Sequence, residues 1–448
     1  MAKNIYASYA LLGIVLAASA CSHEDGVRGG NGKSEGRIEF NASLPEVSSR
    51  ATELKAASLN EIEVSAFTPG ESGETIYFEN KIFGRNNNTG KFVCYDPSCI
   101  WPNNNDLLRF AAFAPSCDDM IASGGDAIST GDKLTGFKVA QDVATQFDFV
   151  TAIGSGRLLD NEETGITLRF QHQLSRIQIK AWGNSASYNL EIAGVRLGGV
   201  GIGGTFNFTA QAEATGPAQA GVWESVAKGY VEYIFHEGDS IVNLDKTADS
   251  PLSADKAVSI MGSKVGGAEG YDNSAMIVPS NNTSWNYKDN AANGDSHAEG
   301  MYLSVLVRVK DTTPYDTNGS IVYPYSGTEY DEELIYLAVD KTDGKTVKSR
   351  LYKQGENYFT DADHSAAYDP DANDSEVKAF GWAALPAADD LKPGQVYTYT
   401  LNYSNGVGLR DPHDSHPGEP IISEKVLVNV EVADWIEGKN TNVSVPRR

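Results

Sequence analysis

Basic residues, long apolar runs and helical periodicity are all scarce in this chain. Its 448 residues carry 36 Lys plus Arg against 60 Asp plus Glu, a formal net charge of -24. Such a surface repels phosphate backbones, and no concentrated basic patch offsets it, so nucleic acid is excluded as a partner. Past the N-terminus there is no run of ~18 apolar residues, and the body of the chain does not span a bilayer. No segment sustains a 3.6-residue period, which disfavours an intracellular helical enzyme. A nucleophile elbow, a phosphate loop and a zinc-protease helix are all missing. Sixty carboxylates offer no way to single out a glycosidase pair. The expectation is a non-enzymatic chain without catalytic residues, metal or cofactor. What is present points to sheets: 41% hydrophobic and 10% aromatic residues for cores, with 44 Gly and 21 Tyr for turns and strands. The length suggests two or three domains.

The N-terminus reads as an address. Lys3 precedes an apolar, small-residue stretch from Ala10 to Ala20, and Ala18-Ser19-Ala20-Cys21 follows the layout of a secretory signal cut between Ala20 and Cys21. A Cys directly behind small residues resembles the bacterial lipobox, although Ala18 stands where Leu is usual. An ordinary signal followed by a chance Cys is the plainer alternative. A lipidated Cys21 would anchor the chain to a membrane without a spanning helix. Residues 21–36 have tether composition, and Glu24-Asp25 resembles the acidic signal that sends Bacteroidetes lipoproteins to the cell surface. Three cysteines then remain. Cys94 and Cys99 bracket a Pro turn, where a local bridge is open to them in an oxidising compartment, and Cys117 completes the set.

Period-two alternation dominates the rest. It marks Ile38, Phe40, Ala42 and Leu44; Ile62, Val64 and Ala66; Leu174, Ile177 and Ile179; Leu303 to Val309; Tyr397 to Tyr403; and Val426 to Val432. Turn-rich connections lie at 85–90, 103–106, 281–294, 361–375 and 411–418. The fold class expected is all-β, as two tandem β-sandwiches over residues 37–183 and 184–448 behind a signal (1–20) and tether (21–36). The division falls near Trp182 to Ser187, with Thr209 to Gly221 as an alternative.

Several motifs invite a sharper reading. Gly199-Val-Gly-Ile-Gly-Gly204 has dinucleotide-loop spacing, but Thr205-Phe-Asn-Phe208 continues as strand where a helix is needed, so these glycines read as turn or bulge residues. His172 sits between apolar strands as a packed core residue. His413-Asp-Ser-His416, flanked by Pro412 and Pro417, reads as a solvated loop rather than a metal site. The acidic residues between Asp361 and Glu376 lack the turn glycine and bidentate Glu of a calcium loop.

In order along the chain, Ser48-Ser-Arg-Ala-Thr52, Phe110-Ala-Ala-Phe-Ala-Pro115, Leu168-Arg-Phe-Gln-His-Gln-Leu-Ser-Arg176, Met276-Ile-Val-Pro279, Lys392-Pro-Gly-Gln-Val-Tyr-Thr-Tyr-Thr-Leu401 and Val430-Glu-Val-Ala-Asp-Trp-Ile-Glu-Gly438 resemble the fimbrillins of Bacteroidales, subunits of type V pili. The resemblance implies transthyretin-like β-sandwiches and a structural, polymerising or adhesive role at the outer membrane. It also implies maturation by a cut between Arg50 and Ala51. That cut would remove the strand carrying Ile38, Phe40, Ala42 and Leu44, whose place a neighbouring subunit's segment would take. Partners would be other fimbrial subunits and, through lipid, the outer membrane. The alternative is a permanently lipidated surface protein that binds glycan or a host ligand, its 6 Trp and 21 Tyr available for stacking on sugar. The 13 residues after Trp435 contain only Val443 and Val445 as a clear alternating pair, a thin donor unless the Val426 to Ala433 strand contributes.

Overall fold

Apolar alternation becomes strand almost wherever the sequence shows it. The computed structural model describes residues 36–44, 59–70, 73–122, 126–208, 221–245, 247, 250–262, 274–288, 300–312, 319–325, 333–423 and 425–435, together with the backbone of 443–446. The strands that matter here are β1 (Glu39–Ser43), β2 (Glu61–Gly70), β3 (Gly73–Arg85), β4 (Phe92–Val93), β5 (Leu108–Ala114) and β6 (Lys133–Lys138). They continue with β7 (Val150–Gly156), β8 (Ile166–Arg169), β9 (Ser175–Trp182), β10 (Tyr188–Asn207) and β11 (Val222–Ile234). The last are β12 (Tyr302–Asp311), β13 (Ile335–Asp340), β14 (Ser375–Pro386), β15 (Gln395–Asn402), β16 (Leu427–Asp434) and β17 (Val443–Pro446). Among the described residues, no helix is long and apolar enough to cross a membrane.

The first sheet runs from Gln171–His172 through β7, β5, β2, β3, β4 and β1 to β8. It curls until its two halves face each other. A Cβ added at Gly154 on β7 would sit 2.8 Å from the Leu168 side chain on β8, so glycine is what permits this close approach. Between the halves lies an aromatic nest in which the Phe40 ring stands 4.9 Å from Phe83 and 5.1 Å from Phe110, both edge to face.

Two further sheets share a second, larger core. One carries β9, β15, β16 and β17 in that order, with β9 parallel to β15 and β16 antiparallel to both β15 and β17. The other is built around β13, β14, β12, β10 and β6, with β11 also on β10. Ile177, Tyr399 and Leu401 from one sheet share a buried cluster with Ile192, Leu303 and Val305 from the other, the layering of a β-sandwich. Phe67 and Phe113, on the outward face of the first sheet, belong to this larger core as well. Phe113 stacks on Phe208 at 5.4 Å. Residues 36–448 accordingly form one compact unit.

The glycine-rich run lies inside the 20-residue β10, whose register against β11 shifts at Gly198/Val200, Gly201/Gly203 and Gly203/Thr205. These bulges bend the strand and let it serve several partners. Gly199 has φ +66°, and a Cβ there would strike the Gly300 carbonyl, so no other residue fits without backbone movement.

Phe40 is fully buried and touches rings from two other strands. Phe40→Ala is expected to lower unfolding stability by about 3–5 kcal/mol, read from urea denaturation of the full chain. A loss below about 1 kcal/mol would mean that the nest collapses around the gap at little cost.

Candidate functional site

Strand β1 concentrates the residues singled out from sequence. Ile38 and Phe40 are fully buried, Leu44 is 5% exposed and Ala42 is half-buried, while Glu39, Asn41 and Ser43 face the other way. Alternation alone dictates this, because successive strand side chains point to opposite faces. Burying three large apolar side chains contributes about 5–9 kcal/mol, so any segment that took this place would need comparable apolar surface.

The backbone of β1 is engaged on both sides. It runs antiparallel to β4, with Phe40 opposite Phe92, and parallel to β8, with Phe40 opposite Ile166 and Ala42 opposite Leu168. The Ile38 amide donates to the Cys99 carbonyl at 3.1 Å, and Ser43 accepts from the Phe170 amide at 2.8 Å. On the outer face Lys91 reaches Glu39 at 2.8 Å, and the Asn41 amide donates to Thr164 O at 2.9 Å. The strand is therefore a plug with apolar pegs inward and a polar rim outward. Ala20, Cys21, Arg50 and Ala51 lie outside the described residues.

The other sequence candidates resolve into local structural roles. His172 is buried, its Nδ1 lies 2.8 Å from Asp148 Oδ2, and its ring stacks on Trp435 at 4.2 Å. His413 pairs with Asp411 at 2.9 Å, and Asp414 holds Arg410 and accepts from the His416 amide. In the acidic loop, Asp361 and Asp369 fold back on nearby amides, and Asp371 pairs with Lys341 at 2.8 Å. Among the described residues, no group of three or more His, Cys, Asp or Glu side chains converges as metal ligands would. Cys94 and Cys99 are both buried, whereas Cys117 is half-buried. Burial, with Glu63 beside it, pushes the Cys117 thiol up to about 12.

One constellation was invisible in the sequence. Arg196 on β10 is 3% exposed and is ringed by Glu232 at 2.9 Å, Glu333 at 3.3 Å and Asp411 at 3.6 Å. Its guanidinium lies over the Trp382 ring at 4.3 Å. These partners come from positions 232, 333, 382 and 411, and no spacing rule could join them. The network ties the 411–418 loop to the central strands.

Burial alone would raise the Asp411 carboxyl, but bonds from His413 and Ser304 and the charge of Arg196 hold it below its usual range. A carboxylate lowered in the folded state adds stability above its unfolded pKa of about 3.9, and that stability is lost as pH falls through the folded value. Asp411→Asn is expected to cost about 3 kcal/mol at pH 7, because Arg196 keeps its charge and loses a buried partner. The deficit against the unmutated protein should shrink in acid. Urea unfolding at neutral and acid pH reads both effects, and a deficit that is constant with pH would rule out this role.

Comparison with known proteins adds the family. A fimbrillin-like family model matches residues 49–281, more than half of the 448-residue chain. Among curated proteins no sequence matches. Similar solved structures include a candidate cell adhesion protein of Bacteroides ovatus, 13% identical with TM-score 0.38, covering 90% of this chain and 99% of that one. Another, from Parabacteroides distasonis, is 10% identical with TM-score 0.38, covering 90% and 98%. The fimbrial anchor protein Mfa2 of Porphyromonas gingivalis is 8% identical with TM-score 0.30, covering 89% and 97%. On the strength of the family match, the chain belongs to the fimbrillin-like family and is a structural, non-enzymatic protein of the fimbrial kind.

Proposed function

We propose that this chain is a subunit of a surface fimbria of the type V kind. It is exported as a lipoprotein on Cys21, cut between Arg50 and Ala51, and polymerised by exchange of β1 for a strand of a neighbouring subunit. The observation that carries the reading is the placement of β1, which is buried on one face and bonded along both edges. Arg50 follows Ser43 by seven residues, so a cut there would release β1 with everything N-terminal to it. The vacated slot would leave apolar pockets between two unpaired strand edges. A segment from another subunit, with apolar residues at every second position, restores both the ladder and the burial. Partners are then other fimbrial subunits and, before the cut, the outer membrane through lipid.

The donor end is at the C-terminus in this reading. Leu401, Val428 and Val430 line an open, mostly apolar pocket of about 230 Å³ beside β16. Incomplete cover on that side of β16 supports its movement together with β17. A second reading has its own observation: β17 is already paired along β16, with Val430 opposite Val445. A chain whose tail stays there donates no strand. Left uncut at Arg50, it would keep its lipid and its own β1 and act as a tip or accessory surface protein that binds glycan or a host ligand.

Arg50→Ala is expected to give a folded, full-length lipoprotein that does not polymerise, and normal filaments from this variant would remove Arg50 from the mechanism. N-terminal mass measurement on surface material separates the two readings, with Ala51 marking the matured subunit and acylated Cys21 the retained one. Deleting Lys439 to Arg448 reads the donor end. Loss of polymerisation by a folded monomer would make the short tail itself the donor, without help from β16.

A further inference from the structure

The segment between β4 and Trp101 holds a feature that neither strand exchange nor family membership requires. The Cys94 and Cys99 sulfurs lie 2.6 Å apart, inside van der Waals contact, and both side chains are buried in the first core. The turn that brings them together is built without any bond between them. Asp96 O accepts from the Cys99 amide at 3.0 Å, Asp96 Oδ1 accepts from the Ser98 amide at 2.8 Å, and Lys81 pins Asp96 Oδ2 at 2.7 Å. To bond, the sulfurs have only about a further half ångström to close. Cys117 packs against the other, larger core and does not compete.

The same turn grips the lead-in to β1. The Cys99 carbonyl accepts from the Ile38 amide at 3.1 Å, and the Cys94 carbonyl accepts from the Arg37 guanidinium at 3.2 Å. The Trp101 amide donates to Gly36 O at 2.7 Å, and Arg37 bridges Ile100 antiparallel. Each cysteine thus presents its carbonyl to residues 36–38 while its sulfur turns to the other cysteine.

We propose that Cys94 and Cys99 are joined by a disulfide in the exported protein, and that until any cut at Arg50 this bond fixes the ledge on which residues 36–38 are held. Two S–H bonds break and one S–S bond forms. The two electrons and two protons pass to the disulfide of a thiol oxidase or a small-molecule disulfide, which leaves as two thiols. Burial pushes the Cys99 thiol up, so in the closed core it is a poor nucleophile. Oxidation therefore precedes closure of the core, while the turn is still open to its oxidant. A fimbrial or adhesin protein works at the cell surface, where such bonds persist.

The test uses the Arg50→Ala chain, which retains residues 36–38, isolated from its own cell surface without reductant. Unfolding it in an alkylating agent should leave Cys94 and Cys99 unlabelled, in a peptide lighter by two hydrogens, with Cys117 labelled. Label on both Cys94 and Cys99 would overturn the bond. Hydrogen exchange on the folded protein then reads the ledge. After phosphine reduction, and in a Cys94→Ala/Cys99→Ala variant that does not depend on the reductant reaching a buried bond, the Ile38 and Trp101 amides should exchange about tenfold faster, with β12 unchanged. A bond whose loss leaves those two amides as slow as before would overturn its role as a clamp. The Arg50→Ala chain keeps residues 36–38 whether or not Arg50 is a processing site, so neither readout depends on cleavage or on polymerisation.

Discussion

Strand β1 is the link on which the first sheet depends, because β8 is joined to β4 and the rest of the ladder order only through it. It also supplies Phe40 to the centre of the aromatic nest. One five-residue element thus closes the hydrogen-bond ladder and fills the core at once. Neither task could be given up separately. Without Phe40 the pairing would remain over a void, and without the pairing the pockets would stand between two bare edges.

The alternating strands were legible because burial on one face imposes a period of two. Residues 38–44, 62–66, 303–309 and 397–403 all show it, and all fall on strands or their margins. The glycines from 199 to 204 were legible as bulges, because no helix could follow them. Pairing partners were not legible. Nothing in Ile38 to Leu44 announces β8 as a parallel neighbour, and nothing in Arg196 announces Asp411 from 215 residues away. Such contacts are chosen by the whole sheet order, which local pattern does not carry.

The larger core shows why composition gives no sharp internal boundary. Phe67 and Phe113 point away from the first sheet's own nest and join Phe149, Phe206 and Phe208. Strand β6 comes from residues 133–138, yet it pairs with β10 in the third sheet. A chain that crosses between layers in this way places residues of the larger core on both sides of the Gly183-Asn184-Ser185 stretch, which connects β9 to β10.

The parallel pairing of β9 with β15 has a kinetic side. It sets residues 176–182 beside 396–402, and the Tyr188 hydroxyl donates to Tyr403 O across a comparable separation. Contacts this distant in sequence must close a long loop before they return any energy, which places them among the slow events of folding. During synthesis, β9 has no in-register neighbour on that side until about nine-tenths of the chain has been made. The sandwich is therefore completed after translation of nearly the whole protein, and until then the apolar face of β9 must be kept from pairing with other chains.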